Sequence, residues 1–448
     1  MNAVNKSMFD IDGKPSIIKS IPLGLQHVVA MIVGNIAPLL IISRILGLSV
    51  SDTTLLVQCA LVSSALATMI QLYPIKINEN YRIGARLPVI MGVSFGFLPT
   101  CLAIGNSYGI AGILGAQIIG GIVSIFVGIW IKKIRKFFPP IVAGTVVLSI
   151  GLSLFPVAIN YMAGGIGSPN YGSPLSWGIS LTVLIVVLYF NQFTKGFTSL
   201  SSILLGIIVG YIICLFMGLV DFTPVKNAAW FALPKPLHFG ITFKADAMIA
   251  MIIMYIVTAI QAVGDLSATT IGGLEREVTD KELSGGVIGN GVAAIVSALL
   301  NSLPTATYSQ NVGLVVLTKV VSRFVLAIGI AFLFIAGFVP KFGAIMTTIP
   351  QAVIGGGTIT VFSMITMTGI RLITRDELTG RNAIIVGLSI ALGVGIVQVP
   401  NSIAQFSDSF KMIFGGSSVV IATLTALSLN LIFPKPEKEI KLSNVKGE

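Results

Sequence analysis

Gln310 and Asn311 stand side by side in TYSQNVGLVVLTK (307–319), flanked by Ser309 and Gly313, in a stretch otherwise apolar enough for hydrocarbon. An amide buried without a partner is costly, so either the fold or a ligand satisfies such a pair. The chemistry on offer is hydrogen-bond recognition, because each amide both donates and accepts. A second set lies in YIVTAIQAVGDLSATT (255–270), where Asp265 is the one carboxylate expected inside a hydrophobic span. Gln261, four residues earlier, shares its helix face. Asp265 is either a proton acceptor or charge partner for a coupling ion, or a helix-end residue pairing a backbone N–H or a loop arginine. His27, beside Gln26 in GLQHVVAM, is either a satisfied structural residue or a proton relay, since histidine alone changes charge near neutral pH. Asn290, between two glycines in VIGNGVAA, reads as a polar tether in close helix packing. His238, in PKPLHFG, reads as a solvated loop residue.

Hydrolytic or redox chemistry finds no footing. There is no HExxH pair, no Walker loop and no GxSxG elbow. Cys59, Cys101 and Cys214 lie in apolar runs without metal-ligand spacing, so neither a metal, a cofactor nor a disulfide framework is expected. AGGIGSPNYGSP (163–174) lacks the strand and helix context of a phosphate loop and reads as an outer loop.

The elements that must position these amides are membrane helices. Of 448 residues, 54% are hydrophobic and only 10% charged, with a mean hydropathy of +0.96. Apolar runs of roughly 20 residues, enough to span a bilayer, recur along the chain. They read as spans near 21–42, 53–73, 87–104, 109–131, 137–158, 174–190, 197–219, 247–268, 285–302, 308–320, 322–340, 349–368, 382–399 and 412–433. An all-α polytopic membrane protein of fourteen spans is expected; a β-barrel would alternate in polarity. The N-terminal 20 residues are polar and do not resemble a cleavable signal peptide. With the N-terminus inside, all but six of the 28 Lys and Arg fall on the inner side. Arg44, Lys226, Lys235, Lys244, Lys341 and Lys411 remain outside, which fits both termini in the cytoplasm and a cell (inner) membrane location. The net charge of +11 is therefore topology, not a nucleic-acid patch.

The chain also repeats itself. ARLPVIMGVSFGF (85–97) matches NSLPTATYSQNVG (301–313) at an offset of 216, which sets Ser94 opposite Gln310 and Phe95 opposite Asn311. FPPIVAGTVV (138–147) matches IPQAVIGGGT (349–358), and LQHVV (25–29) more weakly matches IQAVG (260–264). Two homologous halves of seven spans must lie in opposite orientations, the inverted-repeat plan of secondary transporters. Leu-Pro at 87–88 and 303–304 interrupts the third and tenth spans, so each is expected to hold a short extended piece leading into a half-helix. The two half-helix N-termini would aim free N–H groups at a shared cavity.

QNVGLVVLTK (310–319) resembles the signature of the nucleobase–ascorbate transporter family, Gln/Glu-Asn-x-Gly-x-x-x-x-Thr-Lys/Arg/Gly, at Gln310, Asn311, Gly313, Thr318 and Lys319. The family's first-span Gln-His pair is present as Gln26-His27, and its eighth-span pattern as Gln261-Ala-Val-Gly264-Asp265. The likeness covers essentially the whole chain and is nearest to bacterial xanthine and uric acid permeases. It implies a core domain (21–135 and 246–340) and a gate domain (136–245 and 341–433), between tails at 1–20 and 434–448. It also implies a purine base such as xanthine or uric acid bound between spans 3 and 10, facing span 8. Gln310, Asn311, Gln261, Ser94 and Phe95 would then hold or line the base. His27, Asp265, Gln26, Asn290 and Thr318 would support the site or its coupling. Proton symport and a homodimer through the gate domain are implied, with Gly144 and Gly355 letting core and gate slide closely. One departure stands out: the family's usual eighth-span Glu is Gln261, and a ninth-span Asp is Asn290. Sodium coupling, facilitated transport of another base (uracil, guanine, hypoxanthine) or of ascorbate, and an anion channel or exchanger on the same plan are the alternatives.

Overall fold

The computed structural model describes residues 8–434. Most of the expected C-terminal tail, and residues 1–7 of the N-terminal one, lie outside the described residues. Helices α1 (Ile17–Ile45) and α2 (Val50–Leu72) lead to a hairpin of β1 (Ile75–Lys76) and β2 (Arg82–Ile83). Then come β3 (Met91–Val93), a 3-10 turn (Phe95–Phe97) and α3 (Leu98–Ile129). Helices α4 (Pro140–Met162), α5 (Pro174–Phe193) and α6 (Ser202–Phe216) follow, then α7 (Ala245–Leu274) and α8 (Asp280–Leu299). The last stretch holds β4 (Thr305–Thr307), α9 (Ser309–Thr318), α10 (Arg323–Ala336), α11 (Pro340–Thr347), α12 (Gln351–Ile373), α13 (Gly380–Gln398) and α14 (Ser418–Ile432).

The helices start where local chemistry dictates. The Ser49 hydroxyl accepts the Asp52 N–H at 3.0 Å to open α2, and Thr279 and Glu282 form a reciprocal capping box at α8. Proline, whose missing N–H costs nothing in a first turn, opens α4, α5 and α11. Among the described residues nine helices are long and apolar enough to cross a membrane. Two more pairs qualify only as bent rods: α10 with α11 at 81°, and Asp408–Gly415 with α14 at 80°. The last part of the expected third span and the fourth span run on as the single element α3, broken at Gly109, whose φ of +66° only glycine takes cheaply.

Helix packing divides into two sets. In one, α1 lies against α10 and α2 against α10, while α7 and α8 lie against α3; α11 lies on α2. In the other, α4 and α12 make the most extensive helix pair of the chain, flanked by α5 with α6 and by α13 with α14. Gly144 and Gly355 belong to that α4–α12 seam. A Cβ on Gly144 would stand 2.7 Å from the Ile373 nitrogen, and one on Gly355 2.3 Å from the Met162 nitrogen. Their expected role between core and gate is therefore corrected: they bring two helices of the same set into backbone contact.

Where Leu-Pro interrupts the runs, β3 and β4 pair antiparallel, Met91 with Thr307, Gly92 with Ala306 and Val93 with Thr305. All six residues are buried. Irregular backbone survives at membrane depth only if protein satisfies its polar groups, and helices α1 and α2 do so. Asn35 Oδ1 accepts the Val93 N–H at 2.8 Å, and Thr68 Oγ1 accepts the Met91 N–H at 2.9 Å.

Charged side chains sort by end. Asp12 pairs with both Arg86 and Arg323, Arg276 with Glu282, Lys132 with Asp280 and Lys319 with Glu275, all residues of the expected inner side or beside it. His238, exposed in its loop as expected, contacts Asp52 of the α2 first turn at 3.0 Å at the opposite end.

Candidate functional site

The site grows out of the strand crossing. Tyr308 precedes α9 and lies across both strands: its N–H donates to the Ile90 carbonyl at 3.0 Å and its hydroxyl to the Val93 carbonyl at 2.5 Å. Its ring fits because its neighbours are glycines; a Cβ on Gly34 or Gly92 would come within 2.9 Å or 2.8 Å of it. Ser94 leaves β3 by donating its N–H to the Pro304 carbonyl at 3.1 Å, and its hydroxyl accepts the Gly96 N–H, capping the turn into α3. Thus each half-helix begins at the sheet, and its first amides bond back to the residue that leaves the strand, Gly96 and Phe97 to Ser94, Asn311 and Val312 to Tyr308.

Asp265 is buried in α7 and grips the start of α9. Oδ2 accepts the Thr307 hydroxyl at 2.5 Å and Oδ1 the Ser309 hydroxyl at 2.7 Å. Among the described residues its side-chain partners are these two hydroxyls, in place of the backbone N–H or loop arginine of the structural reading. Two further carboxylates are buried, in helix first turns outside the expected spans. Asp246 is buried in the first turn of α7, accepting from the Tyr108 hydroxyl at 2.6 Å, and Glu282 is buried against Arg276.

His27 and Asn311 meet. Asn311 Nδ2 donates to the His27 carbonyl at 2.9 Å and reaches His27 Nδ1 at 3.2 Å. With Nδ1 accepting, the ring N–H is carried by Nε2. Both residues are buried, and Asn311 Oδ1 has no protein partner. Asn311 therefore spends its donors tying α9 to α1 and leaves an acceptor over. Gln310, half-buried, makes no side-chain hydrogen bond among the described residues, and neither do Gln261 and Gln26. These three amides are free to serve a ligand. Gln310 and Tyr308 form one wall of a cavity of about 20 Å³, completed by Val33 of α1, Leu204 of α6 and Val361 of α12. That is room for roughly one water molecule. Phe95 closes the neighbouring seam, its ring edge-on to Phe362 of α12 with centroids 4.9 Å apart.

Two expected support residues lie apart from this centre. Asn290 Oδ1 accepts from Gln71 Nε2 at 2.8 Å, and the same Gln71 holds the Gly286 carbonyl and the Ala85 N–H. It is the packing tether its glycine neighbours suggested. Thr318 donates to the Leu314 carbonyl at 2.8 Å at the far end of α9, where Lys319 (φ +58°) turns back to bond the Gly272 carbonyl and Glu275. The sequence reading missed Asn35, Ser64, Thr68, Gln71 and Tyr308. A signal existed for three of them, since Ser64, Thr68 and Gln71 recur at helical spacing on one face of an otherwise apolar run.

The geometry agrees with what comparison finds. Residues 18–402 match the model of a family described as the permease family. A Clostridium perfringens (strain 13 / Type A) protein with a provisional purine permease name is 39% identical over 98% of this chain and 96% of its own. Xanthine permease of Bacillus subtilis (strain 168) is 36% identical over 93% of this chain and 94% of its own. Uric acid permease PucK of the same organism is 36% identical over 92% and 94%. Among solved structures, the transmembrane domain of a cyanobacterial bicarbonate transporter, BicA, superposes with a TM-score of 0.58 at 15% identity, over 92% of this chain and 97% of that one. At that identity the likeness is one of fold alone. The chain is a multi-pass membrane protein of the nucleobase–ascorbate transporter (permease) family, whose members are transporters and not enzymes.

Proposed function

We propose that this protein imports a purine nucleobase, xanthine or uric acid, by alternating access, most simply with proton symport. The carrying observation is the set of uncharged amides around the strand crossing: Gln310 on the cavity wall, Asn311 with a spare acceptor, and Gln261 on the face shared with Asp265. A nucleobase edge alternates N–H and C=O groups, and primary amides pair with both. A pocket built this way rejects analogues lacking those groups, because its own would stay unpaired. Relatives named xanthine and uric acid permeases along nearly the full chain support the same substrate class.

The fourteen-span inverted repeat is the architecture we propose. Counting α3 as two arms at Gly109, and adding α6 and α9 to the nine long helices and two bent pairs, gives fourteen. The mirrored packing of α1 on α10 and of α7 on α3 supports it, as does the 216-residue offset, which sets Met91 opposite Thr307, its partner in the sheet. The core domain would comprise α1–α3 and α7–α11, and the gate domain α4–α6 and α12–α14. Because α11 packs on α2, the second core-to-gate boundary is moved to Thr348–Pro350. A gate-mediated homodimer and cytoplasmic termini in the cell membrane belong to the same proposal.

Uptake of labelled xanthine, urate, uracil and ascorbate into proteoliposomes, with and without proton or sodium gradients, tests the reading. Saturable xanthine or urate uptake driven by an inward proton gradient is expected. Uptake of ascorbate or uracil alone, or drive by sodium alone, would replace it with a rival carrier; unitary currents without base competition would replace it with a channel.

A further inference from the structure

The two helix sets are joined asymmetrically. Side-chain hydrogen bonds of Arg44 and Thr100 reach across between the two sets, besides those that Tyr211 makes to the link between α11 and α12 and Lys341 to the segment joining α6 to α7. Arg44, in the last turn of α1, donates through Nη2 to the carbonyls of Ile349 at 2.8 Å and Thr347 at 3.3 Å. Thr100, in the first turns of α3, bonds Ser417 at the start of α14 at 3.1 Å. Both sit toward one end of the molecule. Leu46, just past Arg44, packs its side chain within 2.8 Å of where a Cβ on Gly105 would stand, five residues beyond Thr100. Gly416 closes the same seam, since a Cβ there would come 2.5 Å from the Ala103 side chain.

The link that Arg44 holds runs from Thr347, the last residue of α11, to Pro350, just before α12. Its carbonyls at 347 and 349 face Arg44, while the Thr348 hydroxyl bonds Tyr211 of α6 at 2.6 Å. One short segment is thus held by both sets at once. Among the described residues Arg44 Nη1 and the hydroxyl of nearby Tyr161 are buried without a partner and no carboxylate pairs with Arg44, so this guanidinium is held by the link's carbonyls. A buried cation depends strongly on the few acceptors it has.

We infer that Arg44 with the Thr347–Ile349 link, and Thr100 with Ser417, form the outer gate of the transport cycle, closed in this conformation. The inference rests on the core–gate reading above and on the sidedness of the charge bias, but not on what the substrate is. Opening that end must break both contacts, whereas the opposite end has no such bonds to break among the described residues. Arg44 is the stronger half, because charge-assisted bonds exceed neutral ones.

Spin labels at Val50→Cys and Phe216→Cys, both exposed and one on each set at this end, report the gap directly by pulsed dipolar spectroscopy. The three native cysteines are buried. Arg44→Gln is expected to raise the long-distance population about tenfold, the factor that one charge-assisted bond commands. Thr100→Val, which keeps the shape and loses only the hydroxyl bond, gives a smaller rise and guards against an Arg44 variant that fails to fold. Distance distributions unchanged in both variants, with melting intact, would overturn the inference. A widened gap in protein that binds no nucleobase would uphold the gate while removing the substrate reading.

Discussion

Asp265 offers the sharpest separation between a clamp and a proton carrier. Its two oxygens each accept one hydroxyl, from Thr307 at the end of β4 and Ser309 at the start of α9, so the carboxylate fixes the turn that presents Gln310 and Asn311. Asp265→Ala removes both acceptors and leaves the hydroxyls of buried Thr307 and exposed Ser309 without that partner. Hydrogen bonds to a charged acceptor contribute about 1.5–3 kcal/mol each, so the turn loses roughly 3–6 kcal/mol of preference for its present shape. If base binding must restore that shape, affinity falls by a factor of about 10² to 10⁴. Asp265→Asn keeps one acceptor oxygen, and its NH₂ can donate to the second hydroxyl, which accepts as readily as it donates. Affinity in the Asn variant is therefore expected within about tenfold of the parent. The assay is equilibrium binding of labelled xanthine to purified protein, beside thermal melting, and then gradient-driven uptake. Unchanged binding in the Ala variant would refute the clamp. Asn retaining binding but losing proton-driven accumulation would add a coupling role to it.

Gln310→Ala is expected to abolish base binding with melting unchanged, because its side chain makes no hydrogen bond among the described residues; calorimetric melting and binding together check this. Asn311→Ala is expected to lower both, by about 1–3 kcal/mol in stability, because it also unties α9 from His27. Gln261→Glu introduces a titrating group on the face of Asp265, so uptake is expected to acquire a new pH dependence; identical pH–rate profiles would show that this position plays no part in coupling. Gly369→Ala sets a Cβ 2.4 Å from the Leu148 nitrogen in the α4–α12 seam and is expected to cost about 1–3 kcal/mol by chemical denaturation. Gly387→Ala, in open space on α13, is expected to be neutral or stabilising by about 0.5–1 kcal/mol.

Much of this was legible in the residues, for physical reasons. Apolar runs announce membrane helices because nothing else satisfies backbone in lipid, and Leu-Pro at 87–88 and 303–304 marked where helix gives way to strand. The amides at 310 and 311 stood out because buried polarity is expensive. What composition could not tell was the partner. Asn311 and Gln310 are adjacent and alike, yet one ties α9 to His27 and the other is free, a difference set by which side of α9 faces α1. Gly144 and Gly355 signalled close packing correctly, but glycine does not say against which helix. Tyr308 escaped notice because an aromatic before a half-helix looks like any core residue until Gly34 and Gly92 are seen making room for it.

A structure determined with xanthine bound tests the central claim most directly. The account predicts the base between the Ser94–Phe95 turn and the start of α9, its edge hydrogen-bonded to Gln310 with Gln261 in reach. Density for the base elsewhere, for instance in the cleft lined by Asp52, Asp221 and His238, with Gln310 and Gln261 turned away from it, would contradict the account.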